Sequence, residues 1–140
     1  MSGAGSTGTY RSPLSATGCR GGRAILAGDS AHVNSPIGAM GMNSGVHDAF
    51  NLADKLLKIL RNEAGEDLLD RYERQRRHVA VQHTQAETIR NKRRLAEKDP
   101  AVRRRNHDDL RRTAEDPKLA RAFLLRTSLI ESLREAEQIA

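Results

Sequence analysis

The segment from Gly22 to Leu60 constrains the fold of this 140-residue chain more than any other part. A short apolar run at 23–27 lies between glycines, which predicts a buried strand because a helix needs about ten residues or more. Residues 28–42 are too rich in Gly, Pro, Asn and Ser for regular structure. Apolar residues then recur at helical spacing from about 43 to 62. They cover most of the helix circumference, so we expect this helix to be buried on more than one side.

The sequence as a whole predicts a mostly α-helical protein, with one short strand and about five helices. Residues 1–22 are rich in Gly, Ser and Thr, and we expect them to be flexible. Gly3 to Gly8 match G-x-G-x-x-G, but this match lacks the preceding strand and following helix of a phosphate-binding loop. Residues 23–62 and the charged region 63–140 form the two further segments of the predicted organisation.

Local signals mark helices in the C-terminal region. Residues 66–98 predict one long or once-broken helix with a thin apolar stripe. Asp99-Pro100 and Asp116-Pro117 each resemble a helix start, with an acidic N-cap followed by proline in the first turn. Ser128 to Glu131 fits a capping box that opens a last helix.

The central segment combines groups suited to an anionic or polyhydroxyl ligand. Asp29 follows the predicted strand, at the end where open α/β sheets bind ligands. Its carboxylate could cap the next turn or accept hydrogen bonds from a ligand. Gly38 and Gly41 permit close approach to the main chain. The loop leads into a helix N-terminus, whose free N–H groups and dipole favour negative charge.

Three blocks of residues in this segment recur in a known family. They are Gly28-Asp29-Ser30-Ala31-His32, Pro36-x-Gly38-x-x-Gly41-Met42-Asn43 and Gly45-x-x-Asp48-Ala49-x-Asn51-Leu52-Ala53-x-Lys55-Leu56. Over about residues 22–60 the chain resembles the second FAD fingerprint of the flavin-dependent aromatic hydroxylases, the single-component FAD monooxygenases related to p-hydroxybenzoate hydroxylase. The chain thus resembles the C-terminal portion of an α/β FAD/NAD(P)-binding fold.

The resemblance implies FAD as cofactor, NAD(P)H as reductant, and O2-dependent hydroxylation of a small aromatic substrate. It implies that Asp29, after Gly28, hydrogen-bonds the ribityl chain. The backbone amides of Met42 and Asn43 would meet the pyrimidine edge of the isoalloxazine. By the same resemblance, Pro36 would lie beside the flavin, and Gly38 and Gly41 would allow close approach to the ring. No residue of this chain is assigned catalysis.

In the family, a β-α-β G-x-G-x-x-G unit and a substrate domain precede this fingerprint, whereas here only 22 residues precede the strand. We therefore expect an incomplete chain that is inactive alone. A complementing N-terminal polypeptide or a homo-oligomer would be its partner. We expect no membrane partner and a cytoplasmic location.

Two other functions are weighed against this one. Ile25-Leu26-Ala27-Gly28-Asp29-Ser30 resembles the first block of the GDSL esterases, with Ser30 as nucleophile, but the D-x-x-H block that the family carries near its C-terminus does not occur in that part of the chain. A basic nucleic-acid-binding module is suggested by the net charge of +6. However, residues 67–116 hold 14 Lys and Arg against 10 Asp and Glu with interspersed signs, which is typical of a solvated helix face.

Five histidines raise the question of a metal site. His78 and His83 are five residues apart and should not share a face of an α-helix as an i,i+4 pair would. No H-E-x-x-H pattern occurs in the chain. We therefore expect no metal site and no nucleic acid partner.

Overall fold

The computed structural model describes residues 20–21 and 24–140, and the predictions for the N-terminal tail, including Gly3 to Gly8, lie outside these residues. In the described part the chain is mostly helical, as predicted. Strands β1 (Arg20–Gly21) and β2 (Ala24–Ile25) pair antiparallel, with Arg20 opposite Ile25. The helical elements are α1 (Gly41–Leu60), α2 (Asp67–His78), a π-helical segment (Val79–Gln85), α3 (Ala86–Ala96), α4 (Pro100–Glu115), α5 (Pro117–Thr127) and α6 (Ile130–Glu137).

The predicted strand forms, but its predicted burial is wrong. Ala24 is exposed and Ile25 is only half-buried. In the described residues, β2 pairs only with the two-residue strand β1, so no sheet covers its faces. The apolar run instead contributes to a small core, in which Ile25, Leu26 and Leu52 surround Tyr72 and Ala31.

Helix α1 forms as predicted, but its predicted burial on more than one side is wrong. Its buried residues are Ser44, Asp48 and Lys55, all of them polar. Several of its large apolar side chains, Phe50 and Leu60 among them, are exposed, and Leu52 is half-buried against the small core. The helix packs on α2 and on the turn that follows β2 mainly through its polar face, and in the described residues nothing covers its exposed apolar side chains.

Residues 67–96 run through α2, the π-helical segment and α3 without a loop, which fits the predicted long, once-broken helix. The π-helical segment overturns one argument from spacing. The rings of His78 and His83 lie with their centroids 5.7 Å apart, on the same side of the chain. A π-helix hydrogen-bonds from i to i+5, so residues five apart meet on its surface.

The ends of the last helices separate correct from incorrect local predictions. Asp99 accepts from the Ala101 amide at 2.7 Å, and Asp116 accepts from the Lys118 amide at 2.7 Å, so both predicted N-caps are confirmed. The capping box at Ser128 is wrong. The Ser128 hydroxyl donates to the Leu124 carbonyl, and Leu129, in the left-handed region with φ +63°, precedes α6.

Within residues 20–21 and 24–140, none of the helices combines the length and apolar character that crossing a bilayer requires.

Candidate functional site

The turn after β2 carries Asp29 to the surface. Gly28, Asp29 and Ser30 form one 3-10 turn, and the amides of Ala31 and His32 donate to the Gly28 carbonyl at 2.9 and 3.0 Å. Gly28 has φ +62°, a conformation that glycine adopts without steric cost. Asp29 is exposed, and its carboxylate makes no hydrogen bond within the described residues. Its acceptor capacity is therefore available to a ligand.

This turn lies directly against the start of α1. A Cβ atom on Gly28 would approach the Gly45 Cα atom to 3.5 Å, so the two backbones are in contact. A Cβ atom on Gly41 would lie 3.8 Å from Oδ1 of Asp29. The Asp29 carboxylate and the first turn of α1 are thus neighbours.

The first turn of α1 has no side-chain cap and no acidic residue of its own. Met40 at the N-cap makes no side-chain hydrogen bond to the helix. The leading N–H groups of a helix have no partner inside the helix. Met42 and Asn43, which carry two of these amides, are exposed residues. The donor set fits a ligand with polar, electron-rich edges, which is what a flavin pyrimidine edge offers.

The glycine-rich loop before α1 lies against α3. The Ala39 amide donates to the Pro36 carbonyl at 3.0 Å, which closes a turn. Gly38 has φ +107°, and a Cβ atom there would lie 2.9 Å from Nδ2 of Asn91 on α3. The positive φ favours glycine at position 38, and any other residue there would also have to displace the end of the Asn91 side chain. Pro36 and Gly38 are exposed, as is Asp29.

A groove of about 460 Å³ lies between this loop and helices α3, α4 and α5. Most of its lining is apolar. The lining residues are Ile37, Gly38, Met40, Glu87, Asn91, Arg94, Leu95, Leu110, Phe123 and Thr127. The helical region thus forms one wall of a cleft whose other wall is the glycine-rich loop.

A buried carboxylate, Asp48, joins the turn to α1 and α2. Its Oδ2 accepts from the Gly28 amide at 2.7 Å and from Nε2 of His32 at 2.5 Å, and its Oδ1 accepts from Nε of Arg76. Asp48 is fully buried and Arg76 is 1% exposed. Since an ionised carboxylate only accepts hydrogen bonds, His32 carries its proton on Nε2.

The environment of Asp48 stabilises its charged form. Burial alone raises the pKa of Asp48, but the hydrogen bond from His32 and the charge of Arg76 outweigh burial. The Gly28 amide acts in the same direction, so the pKa of Asp48 lies below its ordinary value. The charge is therefore kept in the interior, where it fixes the Gly28 turn against the helix.

A second polar network lies further along the same face of α1. Nζ of Lys55 donates to Asn51 at 2.9 Å and to Oε1 of Gln75 at 2.8 Å, and Asn51 donates to the same Gln75 oxygen at 3.1 Å. Burial, and then the nearby charge of Arg71, lower the pKa of Lys55. Helix α2 thus recognises α1 through two buried polar clusters.

The sequence pattern did not reveal the contacts of Asp48, Arg76 and His32. The available signal was that Asp48 is the only Asp, Glu, Lys or Arg residue in the first three turns of α1. Its partners lie 16 and 28 residues away along the chain, so spacing alone did not pair them. By contrast, Gly28, Asp29, Gly41, Met42 and Asn43 are brought together at the start of α1.

The esterase alternative gains no support from this geometry. The Ser30 hydroxyl donates to the Ala27 carbonyl at 2.7 Å, and the Nε2 proton of His32 goes to Asp48. A serine nucleophile needs a base that accepts its proton. The nucleic-acid alternative gains none either, since Arg76, one of the 14 Lys and Arg residues in 67–116, is buried in an ion pair with Asp48.

A family model described as FAD binding domain matches residues 11–87. The chain is 35% identical to a para-nitrophenol 4-monooxygenase from a Pseudomonas species over 119 residues, which are 85% of this chain and 30% of the relative. It is 59% identical to a putative polyketide hydroxylase from Streptomyces coelicolor over 61 residues, 44% of this chain and 10% of the relative. The chain thus spans less than a third of the length of these relatives.

Two solved structures share the fold of the chain. The p-nitrophenol 4-monooxygenase of Pseudomonas putida DLL-E4 superposes with a TM-score of 0.73 and 36% identity, covering 80% of this chain and 29% of that one. The rebeccamycin biosynthetic enzyme RebC with reduced flavin gives a TM-score of 0.54 and 34% identity, covering 85% of this chain and 21% of that one.

Proposed function

The chain belongs to the FAD binding domain family, and on that premise we propose that it supplies one wall of the flavin site of a monooxygenase. The enzyme would hydroxylate a small aromatic substrate with NAD(P)H and O2. One observation carries the proposal: the Asp29 carboxylate, which has no hydrogen-bond partner among residues 20–21 and 24–140, lies beside the uncapped first turn of α1. The carboxylate can accept hydrogen bonds and the helix amides can donate them, which suits a ligand in which a polyhydroxyl chain is joined to an electron-rich ring.

Asp29 and α1 would act on different parts of the cofactor. The Asp29 carboxylate would accept hydrogen bonds from the ribityl hydroxyls. The backbone amides of Met42 and Asn43 would donate to the pyrimidine edge of the isoalloxazine. The dipole of the 20-residue helix α1 would favour negative charge at that edge. Bound FAD would take electrons from NAD(P)H and use them to activate O2.

The remaining predicted contacts are part of the same proposal. Gly28 would hold the turn close to α1, so that Asp29 points outward. Gly41 would leave room beside the carboxylate. Pro36 and Gly38 would border the ring, on a loop that α3 supports through Asn91. Each of these roles uses a backbone position that the sequence motif already marked.

The proposed organisation has two functional parts. Residues 23–62 would hold the cofactor contacts, and residues 63–140 would support them from behind. Arg76 and Gln75 of the second part make buried contacts with α1 of the first part, which supports these two roles. The need for NAD(P)H favours the cytoplasm as the location.

The exposed apolar face of α1 supports a complementing N-terminal polypeptide as the partner. Met42 and Phe50 are 79% and 76% exposed. Large apolar side chains that are exposed together on one surface are typical of an interface. A suitable probe is the part of the Pseudomonas para-nitrophenol 4-monooxygenase outside the matched region, co-expressed with this chain. Co-purification would support the proposal, whereas self-association of the chain without the probe would favour a homo-oligomer.

The flavin contacts can be tested by fluorescence titration of FAD into the 140-residue chain. We expect weak binding and no hydroxylation by the chain alone, and further weakening in the Asp29→Ala variant. Asp54→Ala is the matched control, because Asp54 is an exposed acid on α1 that pairs only with Lys58 in the described structure. Equal FAD affinity in Asp29→Ala and the parent chain would remove the role given to Asp29.

A further inference from the structure

Three side chains with metal-binding atoms converge away from the flavin-facing surface. They are His78 at the end of α2, His83 in the π-helical segment and Glu135 on α6. Oε2 of Glu135 lies 2.9 Å from Nε2 of His83 and 3.4 Å from Nε2 of His78. One ligand atom from each residue lies within 4.8 Å of the other two. A single ion between them could reach all three after small side-chain movements.

The backbone explains why the two histidines meet. In an α-helix, residues five apart point in different directions, but the π-helical segment Val79–Gln85 begins directly after His78. Its wider turn places His83 next to His78, and α6 adds Glu135 from 52 residues further along the chain. Single π-helical turns are rare and are often found at functional sites.

The chemistry of the set selects a class of ion. Two imidazole nitrogens and one carboxylate oxygen suit Zn²⁺ and similar divalent transition metals, and not Ca²⁺ or Mg²⁺, which prefer oxygen ligands. Three protein ligands leave a fourth tetrahedral position for water. The side chain of Glu135 is 47% exposed and that of His83 is 14% exposed, so an ion can enter from solvent.

We propose that His78, His83 and Glu135 form a binding site for Zn²⁺ or a similar divalent transition metal that joins the π-helical segment to α6. The proposal is independent of the flavin function. The residues after α6 are already joined to α2, where Arg71 donates to the Ile139 carbonyl at 2.8 Å and Arg74 to the Ala140 carbonyl at 2.8 Å. The metal would add a further attachment through Glu135 of α6 and stabilise the helical region.

The test is a calorimetric titration of Zn²⁺ into the untagged, chelator-treated 140-residue chain. We expect one site. The affinity should fall about tenfold or more in His83→Ala and in Glu135→Gln, because replacing even a residue that only hydrogen-bonds a metal ligand has an effect of that size. His107→Ala, a change at an exposed histidine of α4 outside the cluster, should leave binding unchanged.

A second readout separates metal binding from a change in folding. Circular dichroism should show equal helix content in the parent chain and in Glu135→Gln without metal. Added Zn²⁺ should then raise the melting temperature of the parent chain and not that of Glu135→Gln. The proposal is overturned if Zn²⁺ does not bind, or if it binds equally to the parent chain, His83→Ala and Glu135→Gln.

Discussion

The two faces of α1 have opposite chemistry, and they are reversed relative to a helix of a soluble domain. The face against α2 and the Gly28 turn buries Ser44, Asp48 and Lys55. The face away from them exposes Phe50 and Leu60. A surface helix ordinarily buries its apolar stripe and exposes its charges. Among the described residues these apolar side chains are uncovered, and they form the surface to which we propose that a partner binds.

The two faces differ in the contacts that a substitution would remove. On the inner face, each buried charge has a defined partner, so a change there leaves another polar group unsatisfied. On the outer face, an exposed apolar side chain makes few contacts, so a change there has little effect within this chain. The same outer side chains would become important once a partner covers them. The predictions below test this contrast, from the largest expected effect to the smallest.

Asp48→Ala should have the largest effect on stability. The change would leave the Arg76 guanidinium buried without its carboxylate and remove the acceptor of the Gly28 amide. Breaking a buried pair by removing one partner costs about 3–5 kcal/mol in the free energy of unfolding. Urea unfolding measures the loss. Asp54→Ala, which breaks an exposed pair with Lys58, should cost no more than about 1 kcal/mol, and equal losses would contradict the contrast.

The contribution of Asp48 should also depend on pH. Because the pKa of Asp48 is lower in the folded chain than its ordinary value of 3.8, its stabilising effect is fully present above about that pH. It is lost as the pH falls through the lower, folded-state pKa. Unfolding of the parent chain and Asp48→Asn, measured from neutral pH downward, should therefore show a stability difference that shrinks below pH 3.8. A difference that stays constant with pH would contradict the proposed ionisation.

Gly28→Ala should have an intermediate effect. The left-handed conformation at φ +62° costs a residue with a Cβ atom about 1–2 kcal/mol. The added methyl group also faces the Gly45 backbone at 3.5 Å, which is ordinary van der Waals contact and adds little. Thermal unfolding would measure the cost. A Gly45→Ala control, at a helical position without positive φ, should be tolerated better than Gly28→Ala.

Phe50→Gln should have the smallest effect on the stability of the chain itself, within about 0.5 kcal/mol, because the side chain is 76% exposed. Its effect on association should be larger. Co-purification with the complementing N-terminal polypeptide should fall in Phe50→Gln and stay unchanged in Asp54→Ala, which alters the same helix outside the apolar stripe. Undiminished co-purification in Phe50→Gln would show that the outer face is not the interface.

Local chemistry was predictable wherever a few neighbouring residues decide the structure. The N-caps at Asp99 and Asp116 form because an acidic side chain and a following proline act within one turn. The loop leading into α1 follows from its glycines in the same way. The capping box at Ser128 failed because Leu129 adopts the left-handed region, which sends the Ser128 hydroxyl back to α5.

Contacts between distant parts of the chain could not be read from spacing. Arg76 was counted among the exposed basic residues, yet it is 1% exposed because α2 packs on the polar face of α1. His78 and His83 were placed on different faces because an α-helix was assumed through residues 79–85. The π-helical segment changes the angle between them, and α6 supplies the carboxylate.

The sequence by itself determined the order of the elements of the proposed flavin site, a turn with Asp29, a glycine-rich loop and a helix, because each depends on local backbone chemistry. Only the tertiary structure decided which charges are buried and which apolar side chains remain exposed. Burial depends on the surface that each face meets. The buried Asp48, the reversed faces of α1 and the cluster of His78, His83 and Glu135 all arise from helices that meet far apart in the sequence.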